Sequence, residues 1–467
     1  MNLANYDFDA NLHRFEQGGE RIVLDVNSGS LHSFDPVAWE ALKLLEELRG
    51  NWGAVQEQLT QYDQAEVAEV LQELQALAEE GTLFSGDPGP YEPAFPAEPI
   101  IKAICLHVAH DCNLRCEYCF AGTGDFGGDR SLMDLEVGKQ AIRFVLSKSG
   151  HRKHCEVDFF GGEPLVNYRV VKELVDFGRK AAEEAGKTIK FTLTTNAVLL
   201  DKQVREFLEA NDISVVLSLD GRQEVNDQMR PYADGSGSYG LVAENIKAFV
   251  AEQTNPSPFA VGTYYYVRGT YTHHNLDFDQ DVLHLAELGC RQISVEPVVA
   301  GPEAHHAFRE EDLPVLASSY ERLAEEYLAR RGSPAEFNFF HFNLELGKGP
   351  CLPKRLSGCG AGYEYLAVSP DGTLYPCHQF VGKDEFKVGD VFSGTVNLEL
   401  AKKFRASHVY NKPECRRCWA RFFCGGGCHA AAHNFNGDLR KPYKLGCQLQ
   451  QKRLECAMYI KVKEAAG

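Results

Sequence analysis

The chain has 467 residues, 44% hydrophobic and 24% charged, with a formal net charge of −18; it is too long for one compact core and implies two or three domains. The acidic balance disfavours nucleic acid, because phosphate binding needs basic surface, and suits a neutral or basic peptide partner; no stretch approaches the roughly 20 apolar residues of a membrane-spanning helix. The opening Met-Asn-Leu-Ala-Asn-Tyr-Asp lacks the basic end and apolar run of a secretion signal, so a cytoplasmic protein with reduced thiols is expected, and its fifteen cysteines point to metal rather than disulfides.

Residues 1 to 95 read as a small domain. Arg21-Ile-Val-Leu-Asp-Val alternates and leads through Asn27-Ser-Gly-Ser into Leu31-His-Ser-Phe, a β-hairpin with its turn at Asn27 to Ser30. Helices are expected over Pro36 to about Leu48 and about Gln64 to Gly81, with a helical stretch near Trp52 to Tyr62 between them. Asp87-Pro-Gly-Pro-Tyr-Glu-Pro-Ala-Phe-Pro is an extended Pro-rich linker. A hairpin with three helices resembles the winged-helix-like peptide-recognition domain fused to enzymes that modify ribosomally made peptides. That resemblance implies a leader peptide bound as an added strand on the hairpin edge. The plain alternative is a small domain that packs on the core or aids dimerisation.

The stretch Asp111-Cys-Asn-Leu-Arg-Cys-Glu-Tyr-Cys-Phe120 follows. Cys112, Cys116 and Cys119 stand at C-x3-C-x2-C spacing, one thiolate short of a full set for a four-iron cluster. A structural zinc wants four ligands, usually in C-x2-C pairs. A cluster on three cysteines leaves one iron open. The bland reading is three cysteines in a loop, buried or on zinc. The spacing resembles the signature of the radical SAM enzymes, with Tyr118 at its aromatic position. The resemblance implies that the amino and carboxylate groups of S-adenosylmethionine chelate the open iron, and that electron transfer then yields a radical that abstracts hydrogen from an unactivated carbon.

From 96 to 340, strand patterns alternate with helical ones. Strands are expected at Ala103 to Val108, Glu156 to Phe160, Phe191 to Thr195, Ser214 to Leu219, Thr263 to Val267 and Gln292 to Val295. Helices are expected at Leu135 to Leu146, Arg169 to Ala185, Lys202 to Ala210, Leu241 to Glu252 and Asp277 to Leu288. Six strand–helix units predict an α/β fold, a partial (β/α)6 TIM-like barrel rather than a full eight. The distinctive residues fall just after the strands: the cysteine loop, Gly161-Gly162-Glu163-Pro164, Thr194-Thr195-Asn196, Ser218-Leu219-Asp220-Gly221 and Glu296-Pro297. Parallel barrels build their sites at that rim. Gly161 and Gly162 let backbone approach a ligand closely. By resemblance, Glu163 meets the amino group of the methionine moiety; Asn196, Ser218 and Asp220 hydrogen-bond its ribose and methionine parts; and Arg230 reaches its carboxylate, unless it is a surface or core-bridging arginine. Arg268 faces the same rim without a specific role. Cys105, Cys155 and Cys290 read as core.

Residues 341 to 467 hold Cys351, Cys359, Cys377, Cys415, Cys418, Cys424, Cys428 and Cys447, with Cys456 on a final helix. Cys359 opens C-x12-G-x4-C through Gly372, and Cys415 opens C-x2-C-x5-C-x3-C. Read alone, these also suit a pair of zinc knuckles. Together they resemble the SPASM extension of radical SAM enzymes, which implies two auxiliary four-iron clusters and three 4Fe–4S clusters in all. By that resemblance Cys415, Cys418, Cys424 and Cys447 hold one cluster, and Cys359, Cys377 and Cys428 hold three corners of the nearer one. Its fourth corner is Cys351 or a substrate thiolate.

Cys155-Glu-Val-Asp-Phe-Phe-Gly-Gly-Glu-Pro-Leu, Ile293-Ser-Val-Glu-Pro-Val-Val-Ala and Tyr375-Pro-Cys-His-Gln-Phe-Val-Gly resemble the SPASM maturases of the cysteine-rich SCIFF peptides. The resemblance implies thioether crosslinks, from cysteine sulfur to a carbon, often of threonine, in a ribosomally made precursor peptide. It also implies a reductant such as flavodoxin or ferredoxin. Carbon–carbon crosslinking and formylglycine-type oxidation are the neighbouring readings, and a non-catalytic iron–sulfur peptide carrier is the rival of another class.

Overall fold

A computed structural model describes residues 3–87, 89, 98–253, 265–346 and 355–466. Cys351, the start of the strand expected at Thr263, and most of the Pro-rich linker lie outside the described residues. In the N-terminal part, β1 (Leu12–Gln17), β2 (Glu20–Asp25) and β3 (Leu31–Phe34) form an antiparallel sheet in that order. The β2–β3 hairpin is the expected one. Asp25 organises its turn, accepting from the N–H and hydroxyl of Ser28 at 2.9 and 2.8 Å and from the N–H of Ser85 at 2.9 Å. β1 was not expected. Its buried side chains are Phe15 and Gln17, and a polar inward residue erases the apolar alternation that marks a strand.

Helices α1 (Pro36–Glu47), α2 (Trp52–Gln58) and α3 (Gln64–Glu79) follow. Each starts where a side chain, Asp35, Asn51 or Asp63, accepts from an otherwise unpaired N–H of the first turn. Val37, Leu42, Val67 and Leu71 pack with Val23 and Phe34 into a core separate from the rest. The other face of β2, Ile22 and Leu24, joins the main core. The sheet is therefore buried on both sides, which period-2 alternation allows only when both sets of side chains are apolar.

The central part runs β4 (Ala103–His110), α4 (Leu135–Lys148), β5 (His154–Gly161), α5 (Tyr168–Glu184), β6 (Thr188–Thr195), α6 (Lys202–Ala210), β7 (Ser214–Ser218), α7 (Gln223–Met229), α8 (Tyr239–Glu252), β8 (Tyr265–Tyr271), α9 (Phe278–Glu287), β9 (Gln292–Pro297), α10 (Leu313–Arg330) and β10 (Asn338–Phe339). All six expected strands and five expected helices are present. β4 to β10 lie side by side in chain order and are all parallel. This is the partial barrel: among the described residues the sheet does not close on itself. The far side of β4 instead takes β11 (Tyr365–Val368), also parallel. Beyond it, β12 (Thr373–Tyr375), β13 (Gly389–Asp390) and β14 (Thr395–Val396) continue antiparallel. The cysteine-rich C-terminal part thus extends the barrel sheet itself.

The chain ends in α11 (Leu398–Ala406), α12 (His429–Asn436) and the long α13 (Lys444–Ala466). α13 lies across the N-terminal sheet, with Glu455 2.9 Å from His13 and the Cys456 thiol donating to Gln17 at 3.5 Å. Among the described residues no helix is long and apolar enough to cross a membrane.

The barrel core depends on aromatic packing between β5 and β6, where Phe159 stacks on Phe191 with centroids 5.7 Å apart and planes 8° off parallel. Phe159→Ala should cost about 3–5 kcal/mol and lower the calorimetric melting temperature. Leu132→Ala, at a side chain 51% exposed, should leave it unchanged.

Candidate active site

The cysteine loop leaves the end of β4 and turns back beneath the rim. Its position is set by the next strand. Gly161 has φ +135°, and a Cβ there would lie 2.1 Å from the Ala109 carbonyl oxygen; a Cβ on Gly162 would lie 2.3 Å from that of Asp111. Only glycine permits such contact. Gly162 N–H then donates to Ala109 O at 2.8 Å and Glu163 N–H to Asp111 O at 2.9 Å. Both glycines line the cleft, but what they admit most closely is the backbone of the cysteine loop.

Cys112, Cys116 and Cys119 are half-buried. Burial pushes Cys112 up to about 11 and Cys116 up to about 12, and the thiols raise one another further. Among the described residues no three His, Cys, Asp or Glu side chains close on a single ion, yet these three share one space. Three thiols at the mouth of a cleft fit a cluster wider than one ion.

Glu163 is wholly buried and ties the rim together. One carboxylate oxygen accepts from Leu165 N–H at 3.0 Å and the Thr195 hydroxyl at 2.8 Å; the other accepts from Asn196 N–H at 2.7 Å. Burial raises its pKa to about 7, and these donors oppose the shift. Asn196 in turn donates from Nδ2 to Asn113 Oδ1 at 2.7 Å, which braces the cysteine loop from behind.

Tyr118, Asp220 and Arg230 form a second buried network. The Tyr118 hydroxyl lies 2.9 and 2.7 Å from the two oxygens of Asp220 and accepts from Arg230 Nη1 at 2.8 Å. Asp220 also accepts from Thr270 N–H at 3.0 Å. This corrects one expectation. Asp220 was expected to meet the ligand, but it is fully buried and its carboxylate is taken, so it positions Arg230 and Tyr118 instead. Arg230 and Ser218 do line the cleft.

The cleft is also lined by Phe160, Arg268, Glu296, His378 and Gln379. Arg268 pairs with Glu296 at 2.6 Å. His378 packs between Phe120 and Phe160, with ring centroids 5.4 and 5.1 Å away. Burial, then the Arg268 charge, holds it down at about 4, so it is neutral at pH 7. His378 and Gln379 were missed from the sequence. Their one signal is that they follow Cys377 directly, and a cysteine's neighbour shares its wall.

The remaining cysteines gather in two sets. Burial raises Cys377 to about 12, and Cys428 and Cys359 add to it. Cys447 rises to about 12 by burial, then through Cys424, Cys415 and Cys418. Sets of three and four thiols have the donor chemistry of iron–sulfur clusters.

Residues 103–240 match a family described as a 4Fe-4S single cluster domain, and residues 359–419 match an iron-sulfur cluster-binding domain, SPASM. These two matches support cluster-binding domains of the radical SAM and SPASM kind in the chain. Its cofactors are S-adenosylmethionine and multiple 4Fe–4S clusters. The chain is 24% identical over 330 residues to a cysteine-type anaerobic sulfatase-maturating enzyme of Clostridium novyi, spanning 68% of this chain and 85% of that one. It is 29% identical over 197 residues to the uncharacterized protein MJ0907 of Methanocaldococcus jannaschii; that match covers 42% of this chain and 62% of its relative. In fold it is similar to anSMEcpe with bound AdoMet (TM-score 0.62, 20% identity, 78% of this chain and 99% of that one). It is also similar to Streptococcus suis SuiB bound to the precursor peptide SuiA (TM-score 0.52, 17% identity, 94% and 99%).

Gly161→Ala should displace the loop and weaken equilibrium binding of S-adenosylmethionine at least tenfold. Glu163 should also leave a mark on the pH dependence of the apo-protein. Its folded pKa of about 7 lies above the ordinary 4.5, so the stability it contributes is full below pH 4.5 and fades as pH rises through 7. Denaturation of wild type against Glu163→Gln should show the wild-type advantage shrinking across that window.

Proposed function

We propose that this chain forms intramolecular thioether crosslinks in a ribosomally made, cysteine-rich precursor peptide, joining a cysteine sulfur to a carbon, often of threonine. The observation that carries the reading is the make-up of one cleft. It is lined both by Cys112, Cys116 and Cys119 and by His378 and Gln379, which follow Cys377 of the three-thiol set. A peptide lying in it would meet the first cysteine set and the residues that adjoin the second.

The division of labour follows. When bound, S-adenosylmethionine and its cluster supply an oxidant that removes one hydrogen atom from a peptide carbon. Cys112, Cys116 and Cys119 hold that cluster. Gly161, Gly162, Glu163, Asn196, Ser218 and Arg230 shape the pocket for the methionine and ribose parts, with Asp220 and Tyr118 holding Arg230 in place. Cys359, Cys377 and Cys428 hold the nearer auxiliary cluster, whose fourth corner is Cys351 or the peptide thiolate. Cys415, Cys418, Cys424 and Cys447 hold the farther one. Forming the carbon–sulfur bond removes two hydrogens from the peptide: one leaves as an atom, the other as the thiol proton and an electron, which the auxiliary clusters would accept when bound. Arg268, Glu296 and the neutral His378 orient the peptide.

The reading divides the chain into a leader-binding domain (1–95), a radical SAM barrel (96–340) and a SPASM domain (341–467). The separate core of the first supports this, and the outer edge of β3, which pairs with no further strand among the described residues, suits a leader added as a strand. A structure of the similar SuiB with its precursor peptide supports a peptide substrate. Flavodoxin or ferredoxin supplies the electrons. The resemblance to a sulfatase-maturating enzyme favours a second reading, oxidation of a cysteine to formylglycine.

A mass spectrum decides between them. The reconstituted chain is given S-adenosylmethionine, a reductant and a cysteine-rich peptide under anaerobic conditions. Loss of two hydrogens, with one cysteine closed to alkylation, is the expected result. Loss of two hydrogens with every cysteine still alkylatable means a carbon–carbon link, and loss of sulfur means formylglycine. Replacing Cys112, Cys116 and Cys119 with alanine should abolish cleavage of S-adenosylmethionine; continued cleavage would sink the whole reading.

A further inference from the structure

Lys412 is among the largest wholly buried side chains of the molecule, and nothing in the reaction outlined above uses it. Its Nζ donates to the carbonyl of Gly426 at 2.6 Å. Gly426 is the midpoint of Cys424-Gly425-Gly426-Gly427-Cys428, the loop that sends one thiol to each auxiliary set. All three glycines have positive φ, at 66°, 87° and 71°, and a Cβ on Gly426 would press on Lys412 Nζ at 3.4 Å. The lysine therefore sits at the junction of the two sets. Burial pulls the Lys412 ammonium below its ordinary range, and the thiols that oppose this come from both sets: Cys415 and Cys424 from one, Cys359 and Cys428 from the other. Among the described residues no carboxylate comes within ion-pair distance of it. A buried ammonium without a counter-charge is strongly disfavoured, and the hydrogen bond to Gly426 supplies a dipole, not a charge. The groups that complement it are the thiolates.

We infer that Lys412 is the shared counter-ion of the two auxiliary clusters, a positioning residue that holds the Gly425–Gly427 loop and raises the reduction potential of both. This rests on the assignment of two auxiliary clusters, and not on the thioether chemistry. A four-iron cluster on thiolates is anionic and becomes more so when one electron enters its core. A cation nearby in a poorly screened interior favours the reduced form. Lys412→Met keeps the length of the side chain and removes the charge; Lys412→Arg keeps the charge.

The test is a redox titration of the reconstituted full-length chain, followed by electron paramagnetic resonance, with iron counted per chain. In Lys412→Met both auxiliary clusters should become harder to reduce by at least tenfold in equilibrium constant, about 59 mV for a one-electron couple. The cluster on Cys112, Cys116 and Cys119 should not move, and Lys412→Arg should restore wild-type behaviour. If Lys412→Met loads poorly, the missing iron should belong to the auxiliary sites alone and return in Lys412→Arg. Unmoved potentials, an equal shift of all three clusters, or an Arg variant as displaced as the Met variant would each overturn the inference. Wild-type chain holding a single cluster would instead strike down the assignment beneath it, and no outcome depends on the peptide.

Discussion

The contact on which the site depends is between two stretches of backbone. Gly161 and Gly162 lie so close to Ala109 and Asp111 that a methyl group at either glycine would overlap a carbonyl oxygen. That contact presses the cysteine loop onto the end of β5 and sets where three thiols stand. The rest of the rim is hung from it. Glu163, next in the chain, reaches Thr195 and the backbone of Asn196 at the end of β6, and Asn196 returns to Asn113 in the loop. A buried carboxylate is costly unless it is fully hydrogen-bonded. Glu163 meets that condition with three donors, which makes it a rigid tie between three strand ends.

The second network works by the same logic at higher stakes. Asp220 and Arg230 are both buried, and ion pairs in such places break even only when every remaining lone pair and proton is placed. Tyr118 lies between them, donating to the carboxylate and accepting from the guanidinium, while Thr270 adds a backbone donor. Tyr118 belongs to the cysteine loop, so the loop is anchored from its other end too. The network leaves Arg230 facing the cleft and hides Asp220. A positive charge with fixed direction is thereby offered at the rim, a geometry suited to a carboxylate ligand.

The N-terminal part is tied most tightly to the auxiliary region. His13 stacks on Trp419 with centroids 3.7 Å apart. The buried Arg421 donates to the Ala10 carbonyl at 2.8 Å and to Asn27 at 2.6 Å. Both Trp419 and Arg421 neighbour Cys418, and α13, which begins beside Cys447, runs on under β1 and β2. Side chains that frame one cysteine set are thus the same ones that seat the N-terminal sheet, so the order of the two regions is coupled through shared packing.

Much of this was legible in residue order. Strand and helix periods depend on neighbours along the chain, so the six strands and five helices of the barrel and the hairpin at Asn27–Ser30 could be read directly, as could the spacing of Cys112, Cys116 and Cys119. Gly161 and Gly162 were recognisable as sites of close approach, because glycine's lack of a side chain is a property of the residue itself. Other features needed the folded chain. β1 escaped notice because Gln17 faces inward, where the Cys456 thiol of the last helix donates to its Oε1. Asp220 was taken for a ligand contact because position after a strand says which rim a residue is on, not which way its carboxylate turns. That direction was decided by Tyr118 and Thr270, far away in sequence. His378 entered the cleft because β11 pairs with β4, a long-range pairing that no local pattern encodes, and Lys412 became a junction because the loop of three glycines folds over it. What the sequence by itself determined is the set of chemical groups and the local periods; what only the tertiary structure decided is which groups are buried together, because burial and mutual charge arise from contacts between residues distant in the chain.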